Sequence, residues 1–354
     1  MAQGAPEPRG GPAIGAKDLL ARAAAAEAHD SALCDATARD VAIPEALRLD
    51  ERTRTGVLLA LEAIVSAIEA SLLRAVAPEG FPGIGPTLSL LHAAGLAADR
   101  ALVAELLARV RLEQLAAGLP HHAPGDPARP SLLNRLADHS APGLSDAARA
   151  LLLADNRARS PEAGRWGLPL ILHTRLLWWV ASAMREQAGP LAGVALDEAL
   201  CAAVHAECAL AERCADEQVE AVALRLAAAI DPAPHELMRV LLEALRDRRL
   251  PLVVALLARA AEIAFAEARA LLLDAGAERL LLVLHALELP REGIAELCFM
   301  LCNADPRRDL AALADAIDAL ENVDPHQARE LLVHLRLSPE YRAARGALHG
   351  AHAP

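Results

Sequence analysis

The residues in this chain best suited to chemistry are cysteine and histidine, and they concentrate on one predicted helix. Cys201, His205, Cys208 and Glu212 stand at i, i+4, i+7 and i+11, a spacing that places them on a single helical face. Thiolate, imidazole and carboxylate together form a soft-metal donor set. Cys214 would complete a four-ligand count, but at about 100° per residue it projects to nearly the opposite side. One helix also cannot surround a tetrahedral ion, so a closed site needs a donor from elsewhere, for instance Cys298 or Cys302. The competing reading is that a free cysteine packs as a small hydrophobe. Glu207 falls within the apolar stripe of Leu196, Leu200, Leu210 and Cys214. It therefore has either a partner or an irregular helix.

Three further groups carry potential function. Trp178 and Trp179 are adjacent and so project about 100° apart. Trp179 shares a face with Leu172, Leu176 and Ala183 and is expected in the core. Trp178 shares one with Arg175, Ser182 and Arg185 and is expected to be partly exposed. A half-exposed tryptophan beside arginine is a common interface hot spot, or else it packs under a loop with Arg175 over its ring. Arg307 and Arg308 follow Asp305-Pro306, where they either bind an acidic partner or pair with Asp305, Asp309 or a neighbouring helix. Trp178, Arg175, Arg307 and Arg308 are accordingly the candidate partner-binding residues. Cys298 and Cys302 at i, i+4 are read as core. Asp138-His139-Ser140 and His121-His122 lack a nucleophile elbow. Gly83-Ile-Gly85 lacks a third glycine and a preceding strand. No catalytic or cofactor-binding pattern emerges.

The elements that must position these residues are helices. Ala, Leu, Arg and Glu dominate, whereas aromatics make up 2% of 354 residues, a composition that favours helix over strand. Six Asp-Pro or Ser-Pro pairs (at 126, 160, 231, 305, 324 and 338) are read as helix starts, the acceptor capping and proline at the first turn. Helices are expected near 18–42, 49–77, 87–92, 99–117, 131–139, 145–157, 170–187, 195–214, 217–230, 234–248, 250–263, 266–275, 277–287, 291–303, 307–321, 325–335 and 339–347, with a breaker loop at 78–86 and a Gly/Pro/His loop at 118–130. Residues 1–16 read as a disordered tail and 17–158 as an N-terminal helical region. Residues 159–169 read as a linker, 170–347 as a C-terminal helical domain and 348–354 as a tail. Short connections and a weak 30-residue self-similarity (Arg249-Leu250 and Val253 against Arg279-Leu280 and Val283) point to an all-α fold of stacked antiparallel helix pairs, a HEAT-like or α-solenoid-like array.

Two segments carry a resemblance: 168–185, which includes His173, Arg175, Trp178 and Trp179, and 301–320, which includes Asp305, Arg307, Arg308 and Asp309. With the intervening 245–257 they resemble the Domain of Unknown Function 2336 family of bacteria, mostly alphaproteobacteria, over about residues 130–345. The resemblance implies an all-helical fold and supplies no catalytic residues.

The net charge of −12 repels phosphate backbones and anionic lipid, and Lys17 is the one lysine. Nucleic-acid binding and stable membrane insertion are therefore not expected. The Gly/Pro-rich start is unlike a secretory signal, which points to the cytoplasm and six reduced cysteines. The expected function is that of a non-enzymatic helical scaffold or regulatory adaptor, without a cofactor, that binds another protein. The alternative is a metal- or thiol-dependent site at Cys201, His205 and Cys208.

Overall fold

The computed structural model describes residues 48–76, 87–120, 130–159, 167–189 and 193–350. Contacts divide the chain into units Met1–Arg54 and Thr55–Pro354, and the buried apolar residues belong to the second. The expected tail at 1–16, the helix at 18–42, the loop at 78–86, His121-His122 and most of the linker lie outside the described residues.

The described residues form sixteen α-helices and no strand. In order these are α1 (Glu51–Val76), α2 (Thr87–Ala93), α3 (Arg100–Gly118), α4 (Leu132–Ala137), α5 (Pro142–Arg159), α6 (Leu170–Gln187), α7 (Gly193–Arg213) and α8 (Val219–Ile230). Then come α9 (Pro234–Arg246), α10 (Leu250–Ala261), α11 (Phe265–Leu273), α12 (Glu278–Ala286), α13 (Arg291–Ala304), α14 (Leu310–Ala319), α15 (Pro325–Leu335) and α16 (Pro339–Gly350). The last helix runs through 348–350, expected to be tail.

Of the Asp-Pro and Ser-Pro pairs, Asp324-Pro325 behaves as read: Asp324 accepts from the His326 amide at 2.9 Å with proline at the first helical position. Ser338-Pro339 likewise opens α16. Two pairs do not. Asp231 ends α8 in the left-handed region, φ 38°, and α9 starts after Ala233 instead. Asp305 ends α13, and the cap of α14 is Asp309, whose carboxylate accepts from Ala311 and Ala312. Aspartate suits αL termini and turns as well as N-caps, so the dipeptide marks a helix boundary without saying which side of it. Asp309→Ala should cost about 1 kcal/mol of stability, the usual value of an N-cap, measured by urea unfolding.

Two apolar cores form. One joins Leu61, Ile64, Val65, Ile68 and Leu72 of α1 to α2, to Leu102 and Leu106 of α3, and to α6 and α7. The other joins Leu115 of α3 and Leu119 just beyond it to α4, α5 and α8 through α15. The cores therefore do not divide the chain at 159–169: α6 and α7 pack with early helices, α4 and α5 with late ones, and α3 serves both. Helix α10 is apolar on every side, which suits only a central position. Nine of its twelve residues are buried, and it packs against α8, α9 and α11. By length and composition α1 is apolar enough to cross a membrane. Its apolar stripe faces the first core.

The turn between α9 and α10 ties the second core together. Arg246 pairs with Glu296 of α13, and Arg249 reaches Asp155 of α5 at 2.6 Å. Arg248, at φ 58°, donates to the Leu119 carbonyl, and the Asp247 carboxylate accepts from the Leu132 amide.

Candidate functional site

Helix α3 carries Glu105, Arg109 and Glu113 at successive i, i+4 steps, which places one acid–base–acid row along one face. The row runs from a buried end at Glu105 to an exposed end at Glu113. Glu105 is 8% exposed. One carboxylate oxygen accepts from Arg109 Nε at 2.7 Å and from Arg269 Nη1 at 3.0 Å, and the other accepts from Arg269 Nη2 at 2.5 Å. Arg269 comes from α11, which packs on α3, so the bidentate fork fixes two helices that lie far apart in sequence. Arg109 also donates to the Gly167 carbonyl at 2.6 Å and thereby anchors the segment that leads into α6. Gly167 holds φ 55°, and a Cβ there would meet Gln218 Oε1 at 2.5 Å. The conformation calls for glycine; the Gln218 side-chain end can swing away.

These contacts form the floor and one wall of a cleft of about 390 Å³. Leu168, Pro169, Leu170 and His173 border it from the α6 entry, Ala211 from α7, Ala215 and Gln218 from the following turn. Glu220, Ala221 and Leu224 come from α8, and Ala266 and Arg269 from α11. A depression of about 430 Å³ elsewhere is bordered, among the described residues, by Ser89, Leu90, Glu186 and Gln187.

Three carboxylates of the network differ in charge preference. Burial works to raise the Glu105 pKa, but the guanidiniums of Arg269 and Arg109 outweigh it and hold Glu105 below the usual range. Glu113 is pushed up by burial, with Arg109 opposing. Glu220 is exposed and borders the cleft. Desolvation raises its pKa, the Glu105 charge adds to the rise, and Arg269 and Arg109 pull it down. Glu220 makes no hydrogen bond or ion pair with another described residue.

The candidate residues read from the sequence lie elsewhere. Trp178 is half-buried on the first core, with the His205 ring edge-on at 5.3 Å between centroids. Trp179 is half-buried there too, not fully internal. Arg175 does not cover Trp178; it pairs with Asp99 at 2.6 Å, the N-cap of α3. Arg308 is not a surface group. Its side chain is 1% exposed, donates to the Leu272 carbonyl at 2.6 Å, and lies 3.6 Å from Asp305. Arg307 forks onto the same Asp305 carboxylate. Both arginines lock the α13–α14 turn onto the end of α11.

The metal stripe is not assembled. Cys201 and His205 are exposed, His205 is engaged by Trp178, and Cys208 Sγ lies 3.7 Å from Thr174 Oγ1. Among the described residues no group of three histidine, cysteine or acidic side chains is placed to hold an ion. Glu207 has the partner its position demanded: Ser71 Oγ donates to it at 2.5 Å. Cys298 is core, as expected, and burial pushes its thiol up to about 12. His139 Nδ1 accepts from the Ala141 amide in a turn.

Sequence reasoning missed Glu105, Arg109, Arg269, Glu220 and His173. The signal for the first two was the alternating charge on α3, which on its own reads as a solvated face. Comparison with protein-family models, curated proteins and solved structures finds no match.

Proposed function

We propose that this chain is a non-enzymatic cytoplasmic scaffold or regulatory adaptor that binds another protein, and that the partner's contact is the cleft between α3, α6, α8 and α11. Membership of the Domain of Unknown Function 2336 family belongs to the same reading. So does the stacked helix-pair architecture.

One observation carries the proposal: an apolar-walled cleft whose polar floor is already committed. Both Glu105 oxygens are occupied, so this carboxylate is unsuited to proton transfer. Among the described residues no serine, threonine, cysteine or lysine lines the cleft. Apolar walls with a few fixed polar groups suit recognition. The contact moves away from Arg307 and Arg308 because those guanidiniums are engaged internally, and away from Trp178 because the His205 ring packs against it.

A photo-crosslinking residue in place of Leu170, expressed in the native cell, should give one discrete protein adduct. Glu220→Arg should reduce it at least tenfold, and the same probe in place of Leu153 on α5, 57% exposed, should not give it. Identical adducts from both positions, or none from position 170, would refute the proposal.

A further inference from the structure

We infer that a second copy of this chain docks on the outer face of α1. The two α1 helices run parallel about a two-fold axis, with Leu59, Ala63, Ser66, Ala70 and Leu73 of each forming the seam. None of these residues lines the cleft assigned above to the partner.

Helix α1 is long and apolar, yet only 28% of its most apolar eighteen-residue stretch is buried. Leu61, Ile64, Ile68 and Leu72 face the first core. The opposite side carries Leu59, Ala63, Ser66, Ala70 and Leu73, at steps of four, three, four and three. That alternation is the heptad spacing of a two-helix seam. Leu59 is 59% exposed; Ser66 and Ala70 are exposed, and Ala63 and Leu73 are half-buried. Leucine closes the seam at both ends. The small residues between let two helix axes approach to about 8 Å, the short end of helix packing. At about 1.5 Å per residue the seam is roughly 21 Å long.

Charge selects the partner and its direction. Glu62 and Glu69 flank the seam on one side and Arg74 on the other. Arg74 is exposed and makes no hydrogen bond or ion pair with another described residue. The Thr87 hydroxyl donates to one Glu69 oxygen at 2.6 Å, which fixes that carboxylate beside the seam with its second oxygen to offer. In a parallel pair each flank meets the other flank of the partner five residues on. Glu69 then faces the partner's Arg74, and symmetry makes the contact twice. In an antiparallel pair like flanks meet, so acid faces acid and Arg74 goes unmatched. The net charge of −12 on each copy is screened beyond about 8 Å at physiological salt, so these near pairs set the preference.

Sedimentation equilibrium of the full chain, up to on the order of 100 μM because so short a seam belongs with the weaker interfaces, should show monomer and dimer exchanging. Ala70→Arg and Ser66→Arg each put a charge on the seam at an exposed position. Both should weaken the dimer at least about tenfold with unchanged far-ultraviolet spectra. Arg74→Glu should weaken it by about as much, and by less at high salt, where charges are screened. Under oxidation, Leu59→Cys should give a disulfide joining position 59 of two chains, identified by peptide mapping. Antiparallel helices would hold those positions about 21 Å apart, far beyond disulfide reach. A chain monomeric throughout, or a dimer indifferent to both seam variants, overturns the inference. A dimer broken by the seam variants but lacking the 59–59 disulfide, or unmoved by Arg74→Glu, overturns the parallel arrangement. None of these outcomes alters the adduct expected from position 170, so the cleft and this face are tested separately.

Discussion

Glu105→Ala should lower the unfolding free energy by about 3–5 kcal/mol, the cost of leaving a buried charge without its counter-ion. Glu105, Arg269 and Arg109 have side chains only 9%, 13% and 24% exposed, so solvent cannot take over the missing role. The loss is one of broken pairing, not of intrinsic value in the ion pair. The double variant Glu105→Leu with Arg269→Met should therefore recover to within about 2 kcal/mol of wild type, since well-packed apolar groups replace a buried pair at little net cost. The pH dependence has a definite sign. The folded pKa of Glu105 is depressed, so its stabilisation is present above the unfolded value, roughly 4.3, and is lost as pH falls through the folded value. Glu113 and Glu220 are raised and work the other way: their penalty grows as pH rises from the unfolded value through the folded one. Urea unfolding of wild type and double variant from pH 7 to pH 3 measures the difference. A double variant no better than Glu105→Ala, or an advantage of wild type that persists unchanged at pH 3, contradicts this account of the network.

The contrast between what local sequence dictates and what tertiary contact decides runs through the chain. The Leu170–Gln187 helix coincides with its expected bounds, because Pro169 before it and Gly189 after it leave little choice. Helix α10 lies within 250–263, framed by Arg249 and by Glu262 in the left-handed region. By contrast α14 begins three residues later than expected, because the Asp305 carboxylate turns to Arg307 and leaves capping to Asp309. That choice depends on burial of Arg308 against α11, a contact with a residue 36 positions away. The cleft was less legible still. Glu105 and Arg269 are separated by 164 residues, and no periodicity links them. The alternation Glu105, Arg109, Glu113 looks the same whether its face meets water or α11. Conversely the Cys201, His205 and Cys208 stripe was visible because it is local, and locality alone does not bring a fourth ligand.

Glycines show the same division, and one of them carries a large expected effect. Gly118, the last residue of α3, reads in sequence as the opening of a Gly/Pro/His loop. In the structure it is helical and touches the end of α13. A Cβ built there would lie 2.0 Å from the Ala304 carbonyl oxygen and 2.8 Å from its carbon. Both are backbone atoms, so no side chain can rotate away and the two helices themselves must separate. Parting them disturbs Leu115 and Leu119 on one side and Leu301 and Ala304 on the other, all in the second core. Overpacking commonly costs about 1–3 kcal/mol and more where nothing can yield, so Gly118→Ala should reach at least the top of that range and Gly118→Val should exceed it. Gly143 in the first turn of α5 supplies the opposite case. Nothing lies within 4 Å of its Cβ position, and its φ is not positive. Gly143→Ala should therefore stabilise by about 0.4–1 kcal/mol through the lower entropy of the unfolded chain and better helix propensity. Thermal and urea unfolding of the two alanine variants should move in opposite directions. A Gly118→Ala protein as stable as wild type would mean that α3 and α13 do not meet backbone to backbone, and the junction that lets α3 serve both cores would have to be redrawn.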